Sequence, residues 1–307
     1  MQDRQEIFHR SPHNPILTPH DLPFRAVGVL NPGAAERDGE VILLLRVENV
    51  NGISDIYRAR SRNGATDWQI DKEPVLRHGL KEWHYEEWGC EDARVTYVPE
   101  DACWYVTYVA FSQMGPAVAI ARTTDMENFE RLCLLGATND KDGVLFPARF
   151  GGDYAILHRP DAGGYQHIWS AYSRDLIRWG EPHVVLQERG GPEWDAVRVG
   201  AGPPPIRTAK GWLLIYHGVK TYGAGPLYRA GVALLDSDVP YKVVARSHEF
   251  VFQPEAPYEL SGLLPNVVFP TGALIRGDEI WMYYGAADRC VGLATAKLSD
   301  LLAVLDV

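Results

Sequence analysis

Short apolar runs, each closed by a polar or turn-forming residue, recur along the whole chain. Five stand out, at residues 41–47, 104–111, 154–158, 212–217 and 280–284. They are rich in β-branched and aromatic residues, which suit a pleated, packed strand. Before each lies a segment of Gly, Pro and small residues, at 31–35, 91–94, 146–149, 200–205 and 269–273. After each comes a strand carrying Ala, with Asn, Asp or Ser four residues later. The pairs are Ala59 and Asn63, Ala121 and Asp125, Ala171 and Asp175, Ala233 and Ser237, and Ala296 and Asp300. The alanines recur at intervals of about 50 to 63 residues, the size of a four-stranded propeller blade with some loop excess. Small residues suit innermost strands, where backbones converge on a crowded axis. Helical periodicity is confined to 81–88 and 300–305. The pattern predicts an all-β chain, a five-bladed β-propeller, with residues 1–307 as one catalytic domain. A β-sandwich is the alternative, but sandwiches lack a five-fold sequence period.

Composition supports this reading. Nine Trp, 15 Tyr, 29 Gly and 21 Pro in 307 residues fit many short strands joined by tight connections. Thirty Lys and Arg against 40 Asp and Glu leave a net charge of −10, which argues against a nucleic-acid partner. No apolar run is long enough for a membrane span, so no membrane partner is expected. The opening MQDRQEIFHR has no apolar core of a signal peptide, so a cytoplasmic location is expected. Cys90, Cys103, Cys133 and Cys290 form neither a CxxC pair nor a metal-ligand spacing. They read as reduced thiols, Cys90 packing beside an acidic strand, with no metal and no cofactor expected. The chain is free to form a homo-oligomer, as many soluble enzymes do.

The candidate chemistry sits at one place in the repeat. The second strand of each unit ends in polar residues: Arg46, Ser112, His158 with Arg159, His217 and Asp288. Equivalent positions should converge at one mouth of the axis. Arg159, Arg198 and His217, with Lys141, form a candidate oxyanion site, because Arg's planar fork suits phosphate. Glu91 and Asp92 are the candidate acids. Adjacent strand residues face opposite sides, so one should point inward and the other pair with Arg94. An acid beside an aromatic-lined axis should have its neutral form favoured, as a general acid requires. Trp83, Tyr85, Trp88, Trp194, Tyr222 and Tyr228 are candidates for the floor of a glycan site, since sugar faces stack on rings.

These residues sit in segments that resemble glycoside hydrolase family 130, largely β-mannoside phosphorylases. The resemblance runs from about residue 10 to the end, through Asn31-Pro-Gly, Arg46-Val-Glu, Gly-Cys-Glu-Asp92-Ala-Arg, His-Arg159-Pro, Arg198-Val-Gly-Ala-Gly-Pro-Pro-Pro and Tyr-Gly-Ala-Ala-Asp288. It implies a five-bladed propeller and an inverting phosphorolysis of β-mannosides by inorganic phosphate, giving α-mannose 1-phosphate. Phosphate is then a co-substrate. By the same resemblance Asp92 is the general acid, its proton passing through the 3-hydroxyl of the mannosyl unit. Asn31, Arg46, Glu91 and Asp288 hold the mannoside, and Lys141, Arg159, Arg198 and His217 bind phosphate. Two departures stand out: Arg198 where Lys is common, and Lys141-Asp142 where Arg-Asn is common. The Asn14-Pro-Ile-Leu-Thr-Pro opening and Glu-Asp-Ala-Arg lean toward β-1,2-mannosides. The alternatives are β-1,4-mannooligosaccharides, mannosylglucose, a hydrolase of the same fold and a non-catalytic sugar-binding propeller.

Overall fold

The computed structural model describes residues 7–136 and 138–306. Their strands fall into five antiparallel units of the kind the repeat predicts. The first unit is Gly28–Arg37, Glu40–Glu48, Ser54–Ser61 and Gln69–Ile70. The second is Gly89–Val98, Cys103–Ser112, Gly115–Thr123 and Glu130–Leu134. A single parallel bridge, Ser54 with Gly89, joins these two into one sheet. The third is Asp140–Phe150, Asp153–Pro160, Ile168–Ser173 and Gly180–Leu186. The fourth is Arg198–Ala201 with Ile206–Thr208, then Gly211–Tyr222, Gly225–Leu235 and Val243–Arg246. The fifth is Val268–Arg276, Glu279–Ala286 and Cys290–Lys297, completed by His9–Arg10 from the start of the chain.

The second strand of each unit is apolar because both its faces are covered. Leu43, Leu44 and Leu45 are all fully buried, where a half-exposed strand would alternate. Hydrophobic clusters fill the spaces between units. One draws on the first and second units, through Leu44, Ile56, Val106 and Tyr108. Others join the second to the third, the third to the fourth, and the fourth to the fifth. The remaining cluster sets Leu43 and Val41 of the first unit against Tyr283 and Leu293 of the fifth.

The repeated Ala–Asx signal has a physical cause. Ala59, Ala121, Ala171, Ala233 and Ala296 are all buried in packed strands. The Asx side chain then closes the turn that follows. Asn63 accepts from the backbone N–H groups of Ala65 and Thr66, Asp125 from Glu127 and Asn128, and Asp175 from Ile177 and Arg178. In the fourth unit Asp236 does this, one position before the expected Ser237.

Three expectations need correction. Residues 200–205 do not form one inner strand, because the three prolines at 203–205 offer no N–H to a ladder, and pairing stops at Ala201 until Ile206. Residues 81–88 give a short 3₁₀ segment, Lys81–Glu86, broken at Trp83 by non-helical backbone. The C-terminal helix begins slightly earlier than expected, at Leu298–Ala303. Among the described residues no helix is long and apolar enough to cross a membrane.

Candidate active site

The first strands of units one to three each carry a bulge at the same place. Pairing slips between Leu30 and Gly33, between Glu91 and Arg94, and between Lys141 and Val144. The residue at the slip is Asn31, Asp92 or Asp142, with φ of 46°, 54° and 56°. Asn and Asp enter the left-handed region more readily than other residues bearing a Cβ, and a bulge re-aims the side chain it carries. The bulge brings Glu91 and Asp92 to the same arginine; Asp92 lines the central cavity, as the expectation of one inward carboxyl has it, and Glu91 does not. Both meet Arg46, whose Nη2 lies 3.1 Å from Glu91 Oε1 and whose Nη1 lies 3.2 Å from Asp92 Oδ1. Arg94 does not pair with either carboxylate. It is fully buried and donates to the Asp92 carbonyl at 3.0 Å and to Asp142 Oδ1 at 3.0 Å.

A cavity of about 270 Å³ gathers these groups. Its acidic end holds Asn31, Arg46, Asp92 and Asp288, with Glu91 behind Arg46. Its basic end holds Lys141, Asp142, Arg159, Arg198 and His217. Asn31 Nδ2 donates to Asp92 Oδ1 at 2.8 Å, and Arg159 Nε to Asp142 Oδ2 at 2.7 Å. Lys141 Nζ lies 3.8 Å from Glu91 Oε2 and links the two ends. Two glycines leave the necessary space: a Cβ at Gly200 would collide with Asp142 and His217, and one at Gly285 with Asn31. Several buried polar atoms here have no hydrogen-bond partner among the described residues: Asn31 Oδ1, Arg198 Nε and both ring nitrogens of His217. Unpaired buried polar groups are costly, so their concentration in one cavity points to a polar ligand.

Charge is divided unequally among the carboxyls. Burial pushes Asp92 up, but the Arg46, Arg94 and Lys141 charges and the Asn31 hydrogen bond outweigh it and hold the group below its ordinary range. The expected preference for its neutral form is thus overturned, because cations close to the carboxyl outweigh its burial. Burial raises Glu91, which Arg46 and Lys141 only partly oppose. Burial pushes Asp288 up to about 6, with Arg46 opposing and Asp92 and Glu48 reinforcing. Burial also drives His217 down to about 3, so its ring is neutral near pH 7.

Other candidates lie elsewhere. Ser112 accepts from the Met114 N–H in a hairpin turn, and His158 turns away from the cavity to meet Asp140 at 2.7 Å. Arg159, the next residue along that strand, points to the opposite face and reaches the site. Of the six aromatics, only Tyr228 lines the cavity. Trp194 is buried against Tyr216, while Trp88 and Tyr222 are exposed. The ring that sequence reasoning missed is Phe269, 4.5 Å from His217. Its Phe-Pro-Thr-Gly segment marks an inner strand, which was the available signal. Gln166 was also missed; it accepts from Arg159 Nη1 at 2.5 Å. Cys90 is buried, and burial beside Glu86 raises its thiol well above the usual range, which suits packing and not chemistry. A larger cavity of about 930 Å³ lies at the far ends of the same inner strands, among Glu36, Tyr97, Arg149 and Ile275, and contains none of the predicted site residues.

The model of glycoside hydrolase family 130, described as beta-1,4-mannooligosaccharide phosphorylase, matches residues 5–307. The chain belongs to glycoside hydrolase family 130. This family member is 33% identical to a beta-1,2-mannobiose phosphorylase of Listeria innocua, over 97% of this chain and 98% of that protein. It is also 33% identical to a 1,2-beta-oligomannan phosphorylase of a Thermoanaerobacter species, over 94% and 96%. Its structure matches that of the Listeria innocua beta-1,2-mannobiose phosphorylase in complex with beta-1,2-mannobiose. The TM-score is 0.90 at 32% identity, covering 97% of this chain and 99% of that one.

Proposed function

We propose that this chain is an inverting β-mannoside phosphorylase, with β-1,2-mannobiose or a β-1,2-oligomannoside as its substrate. The observation that carries the reading is one cavity with two chemically opposite ends, a carboxyl set around Arg46 and a basic set around Arg159 and Arg198. An inverting hydrolase needs a second carboxylate to activate water. A phosphorylase needs instead a cationic pocket on the face opposite the acid. Asp92 is the general acid, with Asn31, Arg46, Glu91 and Asp288 holding the mannosyl unit. Lys141, Arg159, Arg198 and His217 receive phosphate. Glu91, Asp92 and Asp288 all lie in the field of Arg46, which favours their charged forms. Attack by phosphate with inversion yields α-mannose 1-phosphate and a shortened sugar.

The two named relatives act on β-1,2-linked substrates, which supports that linkage over the β-1,4 linkage in the family description. The architecture that serves this chemistry is a single domain, 1–307, closed as a five-bladed propeller. The hydrophobic cluster between the fifth unit and the first and the pairing of His9–Arg10 with the fifth unit support the ring. Four free thiols, three of them buried, support a cytoplasmic setting. The test is to incubate the protein with linkage-defined mannobioses, with and without phosphate. Phosphate-dependent loss of β-1,2-mannobiose is expected. Mannose release at the same rate without phosphate would favour the hydrolase.

A further inference from the structure

One group in the basic end has the wrong sign for an oxyanion. Asp142 lines the cavity between Arg159 and His217 yet is almost fully buried. Its Oδ1 accepts from Arg94 Nη2 at 3.0 Å and its Oδ2 from Arg159 Nε at 2.7 Å. His217 Nε2 stands 3.6 Å from the same Oδ2 and has no hydrogen-bond partner among the described residues. A counter-ion serving only Arg94 and Arg159 could sit behind the wall. Asp142 forms part of the wall, re-aimed there by its bulge, and Gly200 keeps the space beside it clear.

An ionised carboxylate can only accept hydrogen bonds. Against an anion it attracts an oxygen that carries a proton and repels one that does not. Phosphate and arsenate carry an O–H at neutral pH, and sulfate carries none. The three are nearly the same size and shape, so a pocket of Arg and Lys alone would separate them poorly. We propose that Asp142 is the selectivity residue of the oxyanion end: it accepts the O–H of monohydrogen phosphate, and the site takes phosphate or arsenate while rejecting sulfate. The favourable contact is a charge-assisted O–H···O⁻ bond, and the rejection comes from two facing, unprotonated oxygens. His217, neutral beside it, is placed to donate to another phosphate oxygen. The proposal rests on the phosphorylase reading of this end of the cavity, which it narrows to the protonation state of the anion.

Calorimetric titration of the full chain with phosphate, arsenate and sulfate, at fixed pH and ionic strength, tests it. Sulfate is expected to bind at least about tenfold more weakly than phosphate, with arsenate within roughly threefold of phosphate. In Asp142→Asn, checked for folding by circular dichroism, the amide can donate, and the sulfate-to-phosphate ratio should fall to within about threefold. If the variant does not fold, competition by sulfate against phosphate-driven turnover in the unaltered chain decides the matter. Equal binding of sulfate and phosphate, or an unchanged ratio in a folded Asp142→Asn, overturns the role of Asp142 and leaves phosphorolysis standing. Absence of phosphate binding together with phosphate-independent cleavage overturns the reading beneath it.

Discussion

At the scale of single residues, two arginines of the basic end are not equivalent. Arg159 holds Asp142 at 2.7 Å, whereas no carboxylate pairs with Arg198 among the described residues; its guanidinium stands 5.8 Å over the Tyr228 ring. Arg198→Ala should raise the KM for phosphate by about 10- to 100-fold, the value of a charge-assisted bond, with little change in melting temperature. Arg159→Ala should raise that KM comparably and also cost up to about 3 kcal/mol of stability, because Asp142 loses one of its cations. Steady-state kinetics and denaturant melts on both variants separate the two effects. Asp288 makes the opposite kind of prediction. Its pKa of about 6 lies above the ordinary 3.8, so the folded chain binds more protons than the unfolded chain between those values. Stability contributed by this group is therefore present at low pH and lost as pH rises through about 6. Asp288→Asn should stabilise the fold by about 2–3 kcal/mol at pH 8, with the gain vanishing toward pH 4, while activity falls sharply. A variant that melts earlier at pH 8 would contradict the origin given for the shift.

Among the elements, the bulge decides more than the strand. Gly89–Val98 was legible as an inner strand, and so were the apolar second strands. What alternation could not supply was the slip after Glu91, which turns two adjacent carboxyls toward one arginine. The signal was present in retrospect as Asn31, Asp92 and Asp142 at equivalent places, each a residue that tolerates left-handed backbone. Ser112 and His158 were misread for a related reason: a polar residue at a strand end marks a turn as readily as a site, and only pairing shows which face it takes. The aromatics misled because they are large enough to pack between units, as Trp194 does. An element-scale prediction concerns His9–Arg10, the first strand among the described residues. Arg10 donates from Nε to Glu259 Oε1 at 2.9 Å and from Nη2 to Oε2 at 2.8 Å, and Glu259 is fully buried. Arg10→Ala leaves that carboxylate short of a cation and should cost about 3 kcal/mol in chemical denaturation. A loss below about 0.5 kcal/mol would mean that the strand is not fastened by this pair.

Over the whole molecule, a buried Ala in all five units, followed by an Asx turn in four of them, made the all-β organisation readable without coordinates, because each unit solves the same packing problem. Net charge misleads at this scale. A chain of −10 gathers Lys141, Arg159 and Arg198 into one cavity with the oppositely charged Asp92 and Asp288, so overall charge does not describe the local field. That opposition is what the phosphorylase reading requires. The most direct measurement of it is a ³¹P NMR time course of the protein with β-1,2-mannobiose and inorganic phosphate. The account predicts that the phosphate signal declines as α-mannose 1-phosphate grows in step with one equivalent of free sugar. Free mannose accumulating while the phosphate signal stays constant would contradict it.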